Sequence, residues 1–269
     1  MATVMTTASK IIKIARDIFR ELQVEEVRLI AAALSFITIM SLIPFVVVVL
    51  GMVKSIGLLD FLYPKLQSFI VSLFREAIGT EATRVVRQVI ERLLKQKLEI
   101  GGTLILFATS FKLLTNIQLG INRFWRVQSD EGLGQRLFLG ITFMVSFPLI
   151  LAAYAGLRSI KAMPISPLAL DYFVYLFGAL LLYKFVPARR TLWRPALLSA
   201  FVTSWFLLGL QVSYSWLSNS FFLYSKMYGA LAALPLFCAW VWTLWYIVLA
   251  GAALQALMQR LIEHGQAAY

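Results

Sequence analysis

LIAAALSFITIMSLIPFVVVVLGMV, residues 29–53, is 25 residues long and carries no charged side chain. About 20 apolar residues of helix cross the ~30 Å hydrocarbon layer of a bilayer, so this stretch reads as a membrane span. Five more candidates follow. Residues 100–122 form the second, interrupted by Lys112, and residues 137–157 the third. The fourth is 168–183, with Asp171 near its start and Lys184 just beyond its end. In the fifth, 195–218, Pro195 suits the first helical position, where its missing N–H costs least. The sixth, 229–258, has 30 residues and must tilt or overhang. The fold class read from these runs is an all-α membrane protein with six transmembrane helices and both termini on one side.

Composition agrees. Of 269 residues, 60% are hydrophobic and 14% charged, against about 25% charged in an average soluble domain. Too few polar side chains exist to coat a water-soluble core, and the hydrophobicity excludes disorder. A net charge of +12 would suggest nucleic acid in a soluble protein. In a membrane protein it fits Lys and Arg held against anionic headgroups, and no nucleic-acid partner is expected. One cysteine, Cys238, and one histidine, His264, exclude an intrachain disulfide and a His/Cys zinc site within one chain. No metal or cofactor is expected.

Two segments read as amphipathic helices that do not span. In residues 10–28, Ile11, Ile12, Ala15, Ile18, Phe19 and Leu22 recur at helical spacing between Lys10, Lys13, Arg16 and Arg20. This pattern suits a helix lying on the membrane face, or one packed on the protein's own loops. Residues 1–28 lack the apolar core and cleavage pattern of a signal peptide. In residues 61–98 a short apolar stretch with Pro64 and Lys65 precedes a stripe of Val85, Val86, Val89, Ile90, Leu93, Leu94 and Leu98, with Arg and Lys on the other faces. The insertion 54–99 reads as an extracytoplasmic lid or docking surface, or as a cap that merely covers the bundle mouth.

Charge counting sets the orientation. With the termini inside, the inner segments hold 13 Lys and Arg and the two short outer loops hold 3, leaving aside the 8 in the long insertion 54–99. The expected organisation is a cytoplasmic helix 1–28, a membrane domain 29–258 and a cytoplasmic tail 259–269.

Lys112 lies midway along the second span, roughly 15 Å from either end at 1.5 Å rise per residue. A cation there costs about 2.5–3.5 kcal/mol, so it is expected to face the bundle interior, a partner group or water. It would bind an anionic headgroup or ion in a polar cavity, or else be neutralised by carbonyls and hydroxyls. Asn116 shares its helix face and Asn122 lies further along. Both suit a substrate pathway with Lys112, or plain interhelical hydrogen bonding. Arg123, Arg126, Arg189, Arg190 and Arg194 gather at the inner headgroup level with Trp193. Arg forks match phosphate, so Arg123, Arg189, Arg190, Trp193 and Arg194 are the candidate headgroup-binding residues. Ordinary anchoring is the alternative. Ser35, Thr38 and Ser41 make a polar strip near Pro44, best suited to packing.

Four ordered motifs then support a family. AAALSFITIMSLIP (31–44) resembles the AAALAYYTLLSLFP signature of the YihY/BrkB family, and INRFWRV (121–127) resembles its LNRIWGV. YKFVPARRTLWRPALLSA (183–200) resembles YRxxPNRRxxWRDALxGA, and YSKMYGALAALP (224–235) resembles YSAIYGALAALP. The likeness runs from about residue 20 to 258 and so covers nearly the whole chain. Ala188, Arg126 and Pro195 depart from the family's Asn, Gly and Asp. The resemblance implies a bacterial inner-membrane protein with six helices and cytoplasmic termini. Members have carried the labels ribonuclease BN and virulence factor. Metal-assisted RNA hydrolysis needs clustered carboxylates or histidines, and no such spacing occurs here, so no enzyme activity is expected.

The function that fits these features is a transporter or translocase for an anionic amphiphile, with lipid as the favoured class, acting through a cavity at Lys112. The chain holds no Walker A sequence. Proton coupling would want a buried carboxylate or histidine, and only Asp171, near a span end, is at hand. A passive or partner-driven conduit therefore fits better. The alternatives are a non-transporting envelope scaffold and a small-ion channel. The partners are membrane lipids, with other envelope proteins or further copies of the chain left open.

Overall fold

The computed structural model describes residues 25–55, 84, 87, 88, 91, 92, 100–125, 150, 153, 154, 157, 158, 166–228 and 233–266. Five helices carry nearly all of them: α1 (Glu25–Ser55), α2 (Ile100–Trp125), α3 (Pro167–Phe185), α4 (Trp193–Tyr228) and α5 (Ala233–Gln266). No strand occurs among the described residues. Three stretches, Pro167–Phe185, Trp193–Leu217 and Pro235–Glu263, are long and apolar enough to cross a membrane, and Val27–Leu42 is a shorter apolar helix.

Which faces are buried identifies the solvent. In α4 the buried residues include Ala196, Ser199, Ala200, Thr203 and Ser204, while Leu197, Leu198, Phe201, Val202, Trp205 and Phe206 are exposed. Small and hydroxylated side chains face the protein and bulky apolar ones face outward. Water would oppose that arrangement, whereas lipid favours it, because small residues let helices approach closely. In α1, Leu29, Phe36 and Met40 are 66%, 64% and 61% exposed, and Val27, Ala31 and Leu34 on the opposite face are buried.

α5 is the hub. It packs against α1, α2 and α4 and touches α3. α1 pairs with α2 and α3 with α4, but among the described helices neither member of the first pair meets either member of the second. Residues from all five helices build one core, with Ile121, Tyr183, Ala200 and Leu249 among its fully enclosed members. Gly251 permits the tightest approach. A Cβ there would collide with the Tyr183 hydroxyl and Thr203 Oγ1. The Tyr183 hydroxyl donates to Val248 O at 2.9 Å and meets Thr203 Oγ1 at 2.9 Å, so one phenol ties α3 to α4 and α5.

Several boundaries differ from expectation. Residues 25–28 are described as part of α1; the rest of the expected 10–28 helix lies outside the described residues. Of the expected third span, 137–157, residues 150, 153, 154 and 157 are described, and all are helical. Of 61–98, residues 84, 87, 88, 91 and 92 are described and helical, and Arg87 pairs with Glu91 at 2.7 Å. α4 begins at Trp193, which makes Pro195 its third residue. The first four N–H groups of a helix have no partner within it, so a proline remains cheap there. α3 starts where expected because the Ser166 hydroxyl accepts from Ala169 N at 3.2 Å and Pro167 follows. In α1, Ser35 and Thr38 donate to Ala31 O and Leu34 O. Thr38 also accepts from Trp245 Nε1 at 2.9 Å, so the polar strip joins α1 to α5.

Candidate functional site

The link between α3 and α4 holds most of the arginines singled out in the sequence, and buried amides fix its backbone. Asn122 of α2 accepts from Ala188 N at 2.9 Å through Oδ1. Gln259 of α5 accepts from Leu192 N at 3.0 Å and donates to Arg190 O at 3.1 Å. Gln255, one turn earlier, donates to Tyr183 O at 2.9 Å. All three amides are buried. Lys184 donates to Thr191 O, Thr191 Oγ1 returns a bond to Lys184 O at 3.1 Å, and the Lys184 ammonium sits 4.7 Å from the Trp193 ring centre. Arg260 of α5 donates to Phe124 O near the end of α2. An unpaired backbone group inside a protein is costly, so these side chains do for the link what a ladder does for a strand.

The amides thus face inward and the described arginines among those singled out in the sequence face outward. Arg123, Arg189, Arg190, Trp193 and Arg194 are all exposed. Arg189 pairs with Glu263 at 3.0 Å. Arg190 and Arg194 pair with no carboxylate among the described residues. At the base of this platform, Asn122 Nδ2 and Trp125 Nε1 are buried without a hydrogen-bond partner among the described residues. Arg126 lies outside the described residues.

The proposed pathway residues are not brought together. Lys112 is exposed, which departs from the bundle interior among the three settings expected for it: the interior, a partner group or water. The cause is the helix period: Lys112 and Ile121, which packs in the core, fall about half a turn apart at 3.6 residues per turn. Asn116 donates to Lys112 O at 2.7 Å, a bond within its own helix. Asn122 is a clamp on the 186–192 link and does not share a face with Lys112.

A second polar cluster lies near the opposite end of α3, and the sequence reading passed over it. Asp171 is buried and accepts from Tyr154 OH. Gln211 Nε2 of α4 donates to its second oxygen at 3.4 Å. Arg158 Nη1 stands 4.0 Å from the first and donates to Tyr154 OH at 2.8 Å. Tyr175 donates to Gln211 Oε1, so the chain of bonds continues along α3. Tyr154 and Tyr175 are each one helical turn from a charged member of the cluster, the spacing that could have signalled it. Gln255 and Gln259 also stand one turn apart on an otherwise apolar face. Among the described residues no three His, Cys, Asp or Glu side chains gather as a metal site would require.

Comparison with known proteins places the chain. It is 27% identical to a UPF0761 membrane protein of Verminephrobacter eiseniae, over 92% of this chain and 62% of that protein. A UPF0761 membrane protein of Neisseria meningitidis serogroup B is 28% identical over 91% of this chain and 63% of its own length. One from Psychrobacter is 27% identical over 82% of this chain and 44% of its own. The chain therefore spans less than two thirds of the length of these curated relatives. No solved structure matches. The relatives are membrane proteins by name, the buried faces of α1 and α4 are those of a membrane protein, and the family model described as Virulence factor BrkB matches residues 18–268: the chain belongs to the BrkB family.

Proposed function

We propose that the chain is a multi-pass protein of the bacterial cytoplasmic membrane, with both termini in the cytoplasm, that moves or handles an anionic amphiphile, a lipid above all. It does so without nucleotide hydrolysis or other catalysis of its own. The observation that carries this reading is the amide-clamped link, which holds Arg190 and Arg194 outward and without a carboxylate partner among the described residues. Guanidinium forks bind phosphate bidentately, and a fixed backbone lowers the entropy lost when they do so. The start of α4, with its partial positive charge, adds to the attraction. Two buried N–H donors beneath the platform, on Asn122 and Trp125, can serve an acceptor group. The excess of Lys and Arg in the expected inner segments supports the orientation. The exposed position of Lys112 moves the favoured contact from the second span to this platform.

Reconstitution tests the proposal. The full chain goes into liposomes containing a fluorescent phosphatidylglycerol or phosphatidylcholine analogue, and leaflet exchange is read with a membrane-impermeant quencher. Faster exchange of the anionic analogue than in protein-free vesicles is expected, with at least a tenfold loss in the Arg190→Ala, Arg194→Ala double variant. Exchange no faster than in protein-free vesicles sinks the transport reading and leaves a scaffold that docks other envelope proteins.

A further inference from the structure

Asp171 is the fifth residue of α3, about 6 Å inside a helix whose length matches the hydrocarbon layer. Burying a carboxylate there is costly, and intramembrane acids are kept where they do work. This one has specific company. The groups facing it among the described residues are Tyr154 and Arg158, both helical, Gln211 on α4, and Tyr175 one turn along its own helix. Tyr214, the next turn of α4, packs against Trp240 of α5. Arg158 is the one cation in that company.

The pair is lopsided. The Asp171 side chain is 7% exposed and that of Arg158 is 41%. At 4.0 Å the guanidinium touches the edge of the carboxylate's reach, and its carbon lies 5.7 Å from the Tyr154 ring centre. Arg158 can leave for an external anion by rotating its own side chain, but Asp171 cannot follow. A carboxylate left behind in a desolvated pocket favours its neutral form. Tyr154 and Gln211 then hold a carboxylic acid instead of a carboxylate.

We propose that Asp171 is a proton-binding site that exchanges its ion pair with Arg158 for a proton when Arg158 receives an anionic headgroup. This inference rests on the anionic-amphiphile reading above and supplies that reading with an energy source. The balance is simple. The Asp171 carboxylate takes one proton from water to form an O–H bond, and Arg158 gains the amphiphile's negative charge as it loses that of Asp171. The site is neutral before and after, so an anion and a proton enter together.

The test uses the purified full chain in weakly buffered nonionic micelles, with infrared difference spectroscopy and a pH-indicator dye. Acidification without added amphiphile is expected to raise the carbonyl band of a protonated carboxylic acid, and Asp171→Asn to remove it. Dihexanoyl phosphatidylglycerol at fixed pH is expected to raise the same band, with uptake of one proton per chain, and dihexanoyl phosphatidylcholine to do neither. In Arg158→Gln the band should already be present at neutral pH, and the anionic amphiphile should add nothing; a merely structural pair would give no such band. Circular dichroism confirms that both variants are folded, and Arg158→Gln carries the test should Asp171→Asn fail to fold. No Asp171-dependent band on acidification overturns the proton site, and a band on acidification without one on adding the anionic amphiphile overturns the exchange. Either result stands whether or not the liposomes transport lipid, so failure here is distinct from failure of the transport reading.

Discussion

The two ends of α3 solve the same problem in opposite ways. At its C-terminal end the irregular link needs partners for its backbone, and Asn122, Gln255 and Gln259 supply them with uncharged amides. Arg189, Arg190 and Arg194 there are exposed. At its N-terminal end the charge itself is buried, and Asp171 is surrounded by donors from two neighbouring helical segments. A neutral clamp holds at any pH and fixes geometry. A buried charge holds only while its partners do, so it is the end suited to change.

The sharpest way to break this contrast is at the clamp's anchor. Gly251→Ala drives a methyl into the Tyr183 hydroxyl and Thr203 Oγ1. Overpacking of this kind costs about 3 kcal/mol, toward the upper end of its usual range. A lowered unfolding midpoint in detergent is the readout, and Tyr183→Phe in the same chain should recover part of the loss, a coupling that only contacting sites show. Next in size is Gln259→Ala, which strands Leu192 N and Arg190 O. It should cost about 2 kcal/mol and speed amide hydrogen exchange across 186–192. The smallest effect belongs to an amide at the other end. Gln211→Ala should cost only about 0.6 kcal/mol, the usual worth of an intramembrane hydrogen bond, because Gln211 holds side chains and no backbone. Equal losses for Gln211→Ala and Gln259→Ala would erase the distinction between the two ends.

The runs at 29–53, 100–122, 168–183 and 195–218, and residues 233–258 of the run at 229–258, are legible as helix because lipid demands unbroken apolar length, a property that can be counted. Their ends were less so. α1 and α4 extend past their apolar runs through Glu25 and Arg194, since a helix continues into the headgroup layer wherever its backbone bonds are met. The arginines of the link were legible as exposed cations, but not the amides that hold them. A glutamine in a span reads the same whether it faces lipid or a neighbour. Lys112 shows the converse: its depth follows from position, but its facing depends on which side of α2 meets α1 and α5, and a largely apolar helix does not declare that side. Asp171 looked shallow in the chain, and only the fold brings Tyr154, Arg158 and Gln211 around it.

The hub position of α5 bears on assembly in the bilayer. Of the five helices it is the last to leave the ribosome, yet among them it alone joins the α1–α2 pair to the α3–α4 pair. Until it arrives, the two earlier pairs share the bond from Ala188 N to Asn122 but no helix–helix packing. A stalled or shortened nascent chain would therefore hold two helix pairs with no helix–helix packing between them.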